Sequence, residues 1–183
     1  GWRLTHAARE ATRRAALAGR TGPVWVFAYG SLTWDPAMEV DEIRHARLAG
    51  WRRTFCYMLD GGRGSPERPG LMAALDEDPG HACEGLALRL PAALVEEETE
   101  RLWRREMITG IYVPVWVSLE TPQGPLEALT FAADHAHERH VGDMPREEKA
   151  GMIAAAEGPL GTNLEYLENL LAQLETLGMH DPE

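Results

Sequence analysis

Four stretches of this 183-residue sequence hold residue types that can do chemistry. The first is Tyr29-Gly30-Ser31-Leu32, which ends the apolar run that starts at Val24. A glycine there lets the backbone turn sharply and lets a ligand come close. Successive backbone N–H groups in such a turn can cradle a carboxylate or an oxyanion. The plainer alternative is a strand-to-loop turn with a buried tyrosine. The second stretch is Leu102-Trp103-Arg104-Arg105-Glu106-Met107. Glu106 stands beside Trp103, Met107 and Ile108. A carboxyl group among apolar side chains has a raised pKa and can move protons near neutral pH. The alternative is a surface glutamate paired with Arg104 or Arg105.

The third stretch is the glycine-rich turn from Gly158 to Leu167. Helix N-termini attract anions, but no Gly-Lys-Ser/Thr follows, so this is not a nucleotide phosphate loop. Thr162 and Glu165 have capping-box spacing, which leaves Asn163 and Tyr166 as ligand-facing candidates. The fourth holds His135, His137 and His140, near Asp134 and Asp143. Three histidines so close can bind zinc. Their spacing matches no specific zinc pattern, so the expectation is an exposed polar loop without metal. No serine-hydrolase elbow, Cys-x-x-Cys or dinucleotide-binding glycine pattern occurs. Cys56 and Cys83 read as core residues, and no cofactor is expected.

The elements that must position these residues can be read from punctuation and periodicity. Residues 3–19 predict a helix, and 24–29 a short buried strand. Residues 47–59 predict a second strand, with a glycine- and proline-rich loop over 61–70. Strands follow at 71–76 and 83–90, then a helix to about Arg105 with its glutamates at the positive end. Residues 111–119 and 126–132 form a hairpin-like pair. A helix opens at Pro145 and ends by Gly158-Pro159. The last helix is capped at Thr162, presents Leu164, Leu167, Leu170, Leu171, Leu174 and Leu177 on one face, and stops at Gly178. The order is not a strict β-α alternation. The expectation is therefore α+β: a small mixed or antiparallel β-barrel of about six strands with flanking helices. An N-terminal helical extension over 1–22 should precede a single domain over 23–180.

The chain carries 18 basic and 29 acidic residues, a net charge of −11. That excess argues against binding to nucleic acid or an anionic membrane. No apolar run approaches a membrane span, and charges sit where a secretion signal would be apolar. Two cysteines are too few for a disulfide framework. A cytoplasmic protein with a small-molecule partner is expected, with a monomer as the default.

Taken in order, the segments resemble one family, the ChaC-like glutathione-specific γ-glutamylcyclotransferases, and the bacterial branch in particular. The matching stretches run from Val24 to Leu32 with Trp34 and Pro36, and from Leu48 to Arg52 with Phe55. They continue with Gly62 to Gly64, Pro69-Gly70, Gly85 to Pro91, Leu102 to Gly110, and Gly158 to Leu167. The resemblance implies the γ-glutamylcyclotransferase-like fold and cleavage of glutathione into 5-oxoproline and cysteinylglycine, without cofactor or metal. It places the catalytic glutamate at Glu106. It places the substrate loop at Val26, Phe27, Ala28, Tyr29, Gly30 and Ser31, with Leu32 beside them. Ala28 stands where many relatives have glycine, and Thr109-Gly110-Ile111-Tyr112 where animal members have Gly-Gly-Tyr, so Tyr112 joins the candidates with Asn163 and Tyr166. Glutathione carries two carboxylates, for which Arg52 and Arg63 are the candidate partners.

Overall fold

The computed structural model describes residues 3–183, so Gly1 and Trp2 of the expected extension lie outside the described residues. The chain runs through α1 (His6–Leu17), β1 (Val24–Ala28), β2 (Glu42–Leu59), β3 (Gly70–Leu90), α2 (Val95–Glu106), β4 (Tyr112–Leu119) and β5 (Leu126–Ala133). It continues through α3 (Arg146–Ala155), the two-residue strands β6 (Glu157–Gly158) and β7 (Gly161–Thr162), and α4 (Asn163–Thr176). Among the described residues no helix is long and apolar enough to cross a membrane.

Five strands form one mixed sheet in the order β2-β3-β1-β5-β4. This is the expected α+β class. The expected six-stranded barrel is replaced by a five-stranded sheet whose outer strands meet at one bridge, between Arg47 and Glu120. β6 and β7 pair only with each other.

The frame is the long antiparallel hairpin of β2 and β3. The sequence predicts two separate strands here, over 71–76 and 83–90. The structure instead keeps one strand and absorbs the extra residues as a register shift: Ala49 faces Ala82, but Trp51 faces Glu77. Gly50, at φ +83°, sits at that shift, in a conformation that favours glycine. β2 also starts at Glu42, five residues before the expected Arg47.

β1 is much shorter than the strand it lies on. It runs antiparallel to the far half of β3, from Val24 opposite Leu90 to Ala28 opposite Leu86. β5 pairs with β1 at Val26–Leu129, and with β3 itself at Leu75–Ala132. The sheet therefore forks where β1 stops, and the chain leaves it there through a single 3₁₀ turn over Ser31–Thr33.

The helices brace this frame. Trp103 of α2 donates its indole N–H to Thr12 Oγ1 of α1 (3.0 Å), and Trp116 of β4 donates to the Ala16 carbonyl (2.8 Å). α4 opens with the expected capping box of Thr162 and Glu165. It closes with Gly178 at φ +66°, Gly178 N–H donating to Glu175 and Met179 N–H to Leu174. That paired bond pattern satisfies the last carbonyls of the helix. Its apolar face is narrower than expected: Leu170 and Leu174 are buried, whereas Leu164 and Leu171 are exposed.

Candidate active site

The fork holds a cavity of about 280 Å³, near the lower bound for small-molecule sites. Every layer of the fold contributes to its lining. β1 and its turn supply Phe27, Tyr29, Gly30, Ser31 and Leu32; β3 supplies Met72 and Ala73; β4 and β5 supply Tyr112 and Phe131. Glu106, at the end of α2, and Tyr166 of α4 add further polar groups.

The alternation of a strand decides which loop residues face the cavity. Phe27 and Tyr29 line it, whereas Val26 and Ala28 are fully buried in the main core cluster and do not. The alanine at 28 therefore leaves the lining unchanged. Gly30 turns the chain at φ −133° and ψ −133°, outside both the helical and the extended regions. A Cβ built on Gly30 would meet nothing within 4 Å. Its value is the open space it leaves beside the cavity. The Thr33 N–H donates to the Gly30 carbonyl as the first bond of the 3₁₀ turn. The N–H groups of Ser31 and Leu32 precede that bond and have no acceptor within the turn.

Glu106 has a side chain only 16% exposed. Burial raises its pKa from the ordinary 4.5 to about 7, and the Arg105 charge opposes that shift only partly. Arg105 Nε lies 3.3 Å from Glu106 Oε1. Arg104 reaches back to Glu100 instead. Of the three apolar neighbours expected for Glu106, Ile108 lines the cavity, while Trp103 and Met107 belong to the core.

Two buried phenols, Tyr29 and Tyr112, and the half-buried Tyr166 line the cavity with the carboxyl. Tyr29 donates to the Phe131 carbonyl (2.6 Å), and Tyr112 to the Ala73 carbonyl (3.4 Å). Burial, and then the Glu106 charge, push the Tyr29 hydroxyl well up. Tyr166 is pushed up to about 12, by burial first. All three phenols therefore stay neutral donors at neutral pH.

The turn is fixed from behind by Arg53, whose side chain is 3% exposed. Its Nε donates to the Tyr29 carbonyl (2.5 Å) and its Nη2 to the Glu84 carbonyl (2.8 Å). Its third arm pairs with Asp181.

Several candidates lie elsewhere. Arg52 bonds Asp143 (3.0 Å) and faces Asp78, while Arg63 donates to the Thr162 carbonyl and to Glu165. Asn163 is fully buried and bonds both backbone groups of Leu71, accepting from N–H at 2.7 Å and donating to C=O at 2.8 Å. None of the three lines the cavity. Among the described residues, the cation that does is Arg105, which donates to Ser31 Oγ (2.8 Å). In sequence, Arg105 reads only as a possible partner for Glu106. Its place one residue before the catalytic candidate, at a helix end, was the available signal. Cys56 and Cys83 are buried free thiols, raised by burial to about 12 and about 11. Neither is a thiolate at neutral pH.

Residues 24–183 match the model of the family described as ChaC-like protein. The chain is 46% identical over 176 residues to the glutathione-specific gamma-glutamylcyclotransferase of Escherichia coli (strain K12), covering 94% of this chain and 75% of that protein. It is 33% identical over 158 residues to glutathione-specific gamma-glutamylcyclotransferase 1 of Rattus norvegicus, covering 85% and 71%. Among solved structures, the selenomethionine-labelled yeast γ-glutamyl cyclotransferase specific to glutathione has the same fold. The TM-score is 0.79 at 23% identity, covering 89% of this chain and 91% of that one.

Proposed function

This chain belongs to the ChaC-like family, and from that premise we propose that it is a glutathione-specific γ-glutamylcyclotransferase with Glu106 as its general acid and base. The observation that carries the mechanism is a buried carboxyl, raised by burial to about 7, lining the same cavity as the Gly30-Ser31-Leu32 turn.

In glutathione the α-amine of the γ-glutamyl residue can reach its own γ-carbonyl and close a five-membered ring. The nucleophile is tethered, so the substrate supplies the effective concentration. Glu106 takes a proton from the amine as the C–N bond forms. It then gives a proton to the cysteinyl nitrogen as the old amide bond breaks. The products are 5-oxoproline and cysteinylglycine, and the carboxylate is restored. The N–H groups of Ser31 and Leu32 stabilise the oxyanion or hold the α-carboxylate. Phe27, Leu32, Tyr112 and Tyr166 shape the cavity around the folded γ-glutamyl arm. Arg105 supplies the cationic contact for a substrate carboxylate, a role its place in the lining supports better than those of Arg52, Arg63 or Asn163.

The test is direct. Purified protein incubated with glutathione should release 5-oxoproline and cysteinylglycine in equal amounts. A γ-glutamyl-amino acid run in parallel should be turned over far more slowly. No 5-oxoproline from either would overturn the activity.

A further inference from the structure

The structure divides the histidine loop after β5. His137 packs edge-on to Tyr57, and its Nδ1 accepts the Arg139 backbone N–H (3.2 Å). His135 and His140 instead stack on each other, with ring centroids 4.5 Å apart and planes 23° from parallel. His135 Nε2 lies 2.5 Å from Asp76 Oδ1 on β3. One donor atom from each of Asp76, His135 and His140 falls within 4.8 Å of the other two. His140 Nε2 is buried without a hydrogen-bond partner among the described residues. Buried polar atoms in native proteins nearly always have one.

We propose that Asp76, His135 and His140 bind a divalent late first-row metal ion, with zinc as the representative case, and that the ion pins the loop after β5 to β3. Two imidazoles and a carboxylate are the donor types zinc takes, and water commonly fills the fourth position of a three-ligand shell. Zinc–nitrogen and zinc–oxygen distances of about 2.0–2.2 Å put donors roughly 3.3 Å apart in a tetrahedral shell. His135 and Asp76 must part slightly to admit the ion, and His135, 63% exposed, has room to swing. His140 is held in place by the bridge from its backbone to Tyr57 and by the Tyr57 ring, 5.6 Å away. The local charge favours a cation, since Asp76, Asp143 and Asp134 all act on His140. Facing that pull, Arg52 holds Asp143 from the neighbouring β2. None of the three ligands lines the cavity around Glu106, so the ion takes no part in the proposed cyclisation.

The experiment uses tag-free full chain, stripped with chelator and dialysed to equilibrium against micromolar zinc, with bound metal measured by elemental analysis. One zinc per chain is expected, with affinity at least ~10-fold lower in His135→Ala, His140→Ala and Asp76→Asn. His135→Ala removes an exposed side chain, so it keeps the test open if the His140 variant misfolds. Zinc should raise the thermal midpoint of the parent protein and leave that of His135→Ala unchanged. Equal zinc content in parent and His135→Ala, whether one or none, would overturn the proposal. The binding readout does not depend on glutathione chemistry, so it stands or falls apart from the proposed activity.

Discussion

At the scale of single residues, the decisive feature is the contest over Glu106. Burial pushes its pKa up and Arg105 pulls it down, and burial wins. Glu106→Gln keeps the shape and loses the proton relay. Its kcat should fall at least ~100-fold, measured as 5-oxoproline release, while glutathione still binds. The same substitution has a stability signature of definite sign. A folded pKa near 7 against 4.5 unfolded means the native state holds a proton that the unfolded chain gives up. Stability contributed below pH 4.5 is therefore lost as pH rises through 7. Relative to the parent, Glu106→Gln should gain up to about 3 kcal/mol between pH 4.5 and 8, read by chemical denaturation. A gain of the opposite sign would mean that the carboxylate is held by a partner. Turnover should follow the ionised form, so kcat/KM should rise with pH through about 7. Arg105→Gln removes the opposing charge and should move that limb to higher pH.

At the scale of elements, the cavity depends on contacts that look in sequence like binding features. Asn163 was a ligand candidate because it follows a glycine-rich turn. The fold spends it on both backbone groups of Leu71, two residues before Ala73 in the cavity wall. Asn163→Ala leaves a buried N–H and C=O unpaired and should cost about 1–3 kcal/mol. Arg63→Ala breaks a partly exposed pair and should cost under about 1 kcal/mol. Equal losses in denaturation would remove the clamp argument. The glycines follow the same logic. A Cβ on Gly85 would strike the Ala28 carbonyl and come within 2.6 Å of the Phe27 ring. That glycine lets β1 lie close on β3. Capping boxes, turn glycines and the VWVFAY run were legible because their signals are local. The extra β2 residues and the continuous β3 were not, because pairing across a register shift is decided by the partner strand.

At the scale of the whole molecule, function rests on bringing β1, β3, α2 and α4 to one fork, and no local pattern records that convergence. The order of the motifs did record it, since stretches far apart in sequence share one resemblance. Sequence periodicity likewise gave the α+β class, but strand closure depends on long-range pairing, and the expected barrel became a sheet with one bridging pair. No local pattern joins Asp76 to His135 and His140, because 59 residues separate it from His135. The proposed cyclisation draws on groups of the chain and the substrate alone. Exhaustive chelation should therefore leave kcat within about twofold of its starting value, checked by 5-oxoproline release, even where the thermal midpoint falls.

Arg53 has a further consequence, which concerns the order in which the chain is made. Its guanidinium steadies the Tyr29 carbonyl and is neutralised by Asp181, 128 positions further along. At about 5–20 residues per second, a ribosome adds Asp181 roughly 6–26 s after Arg53. Until then the nascent chain carries an uncompensated cation behind the turn that presents Ser31. The turn that lines the cavity is thus translated well before the carboxylate that pairs with its brace, and the full brace forms only once both segments are made.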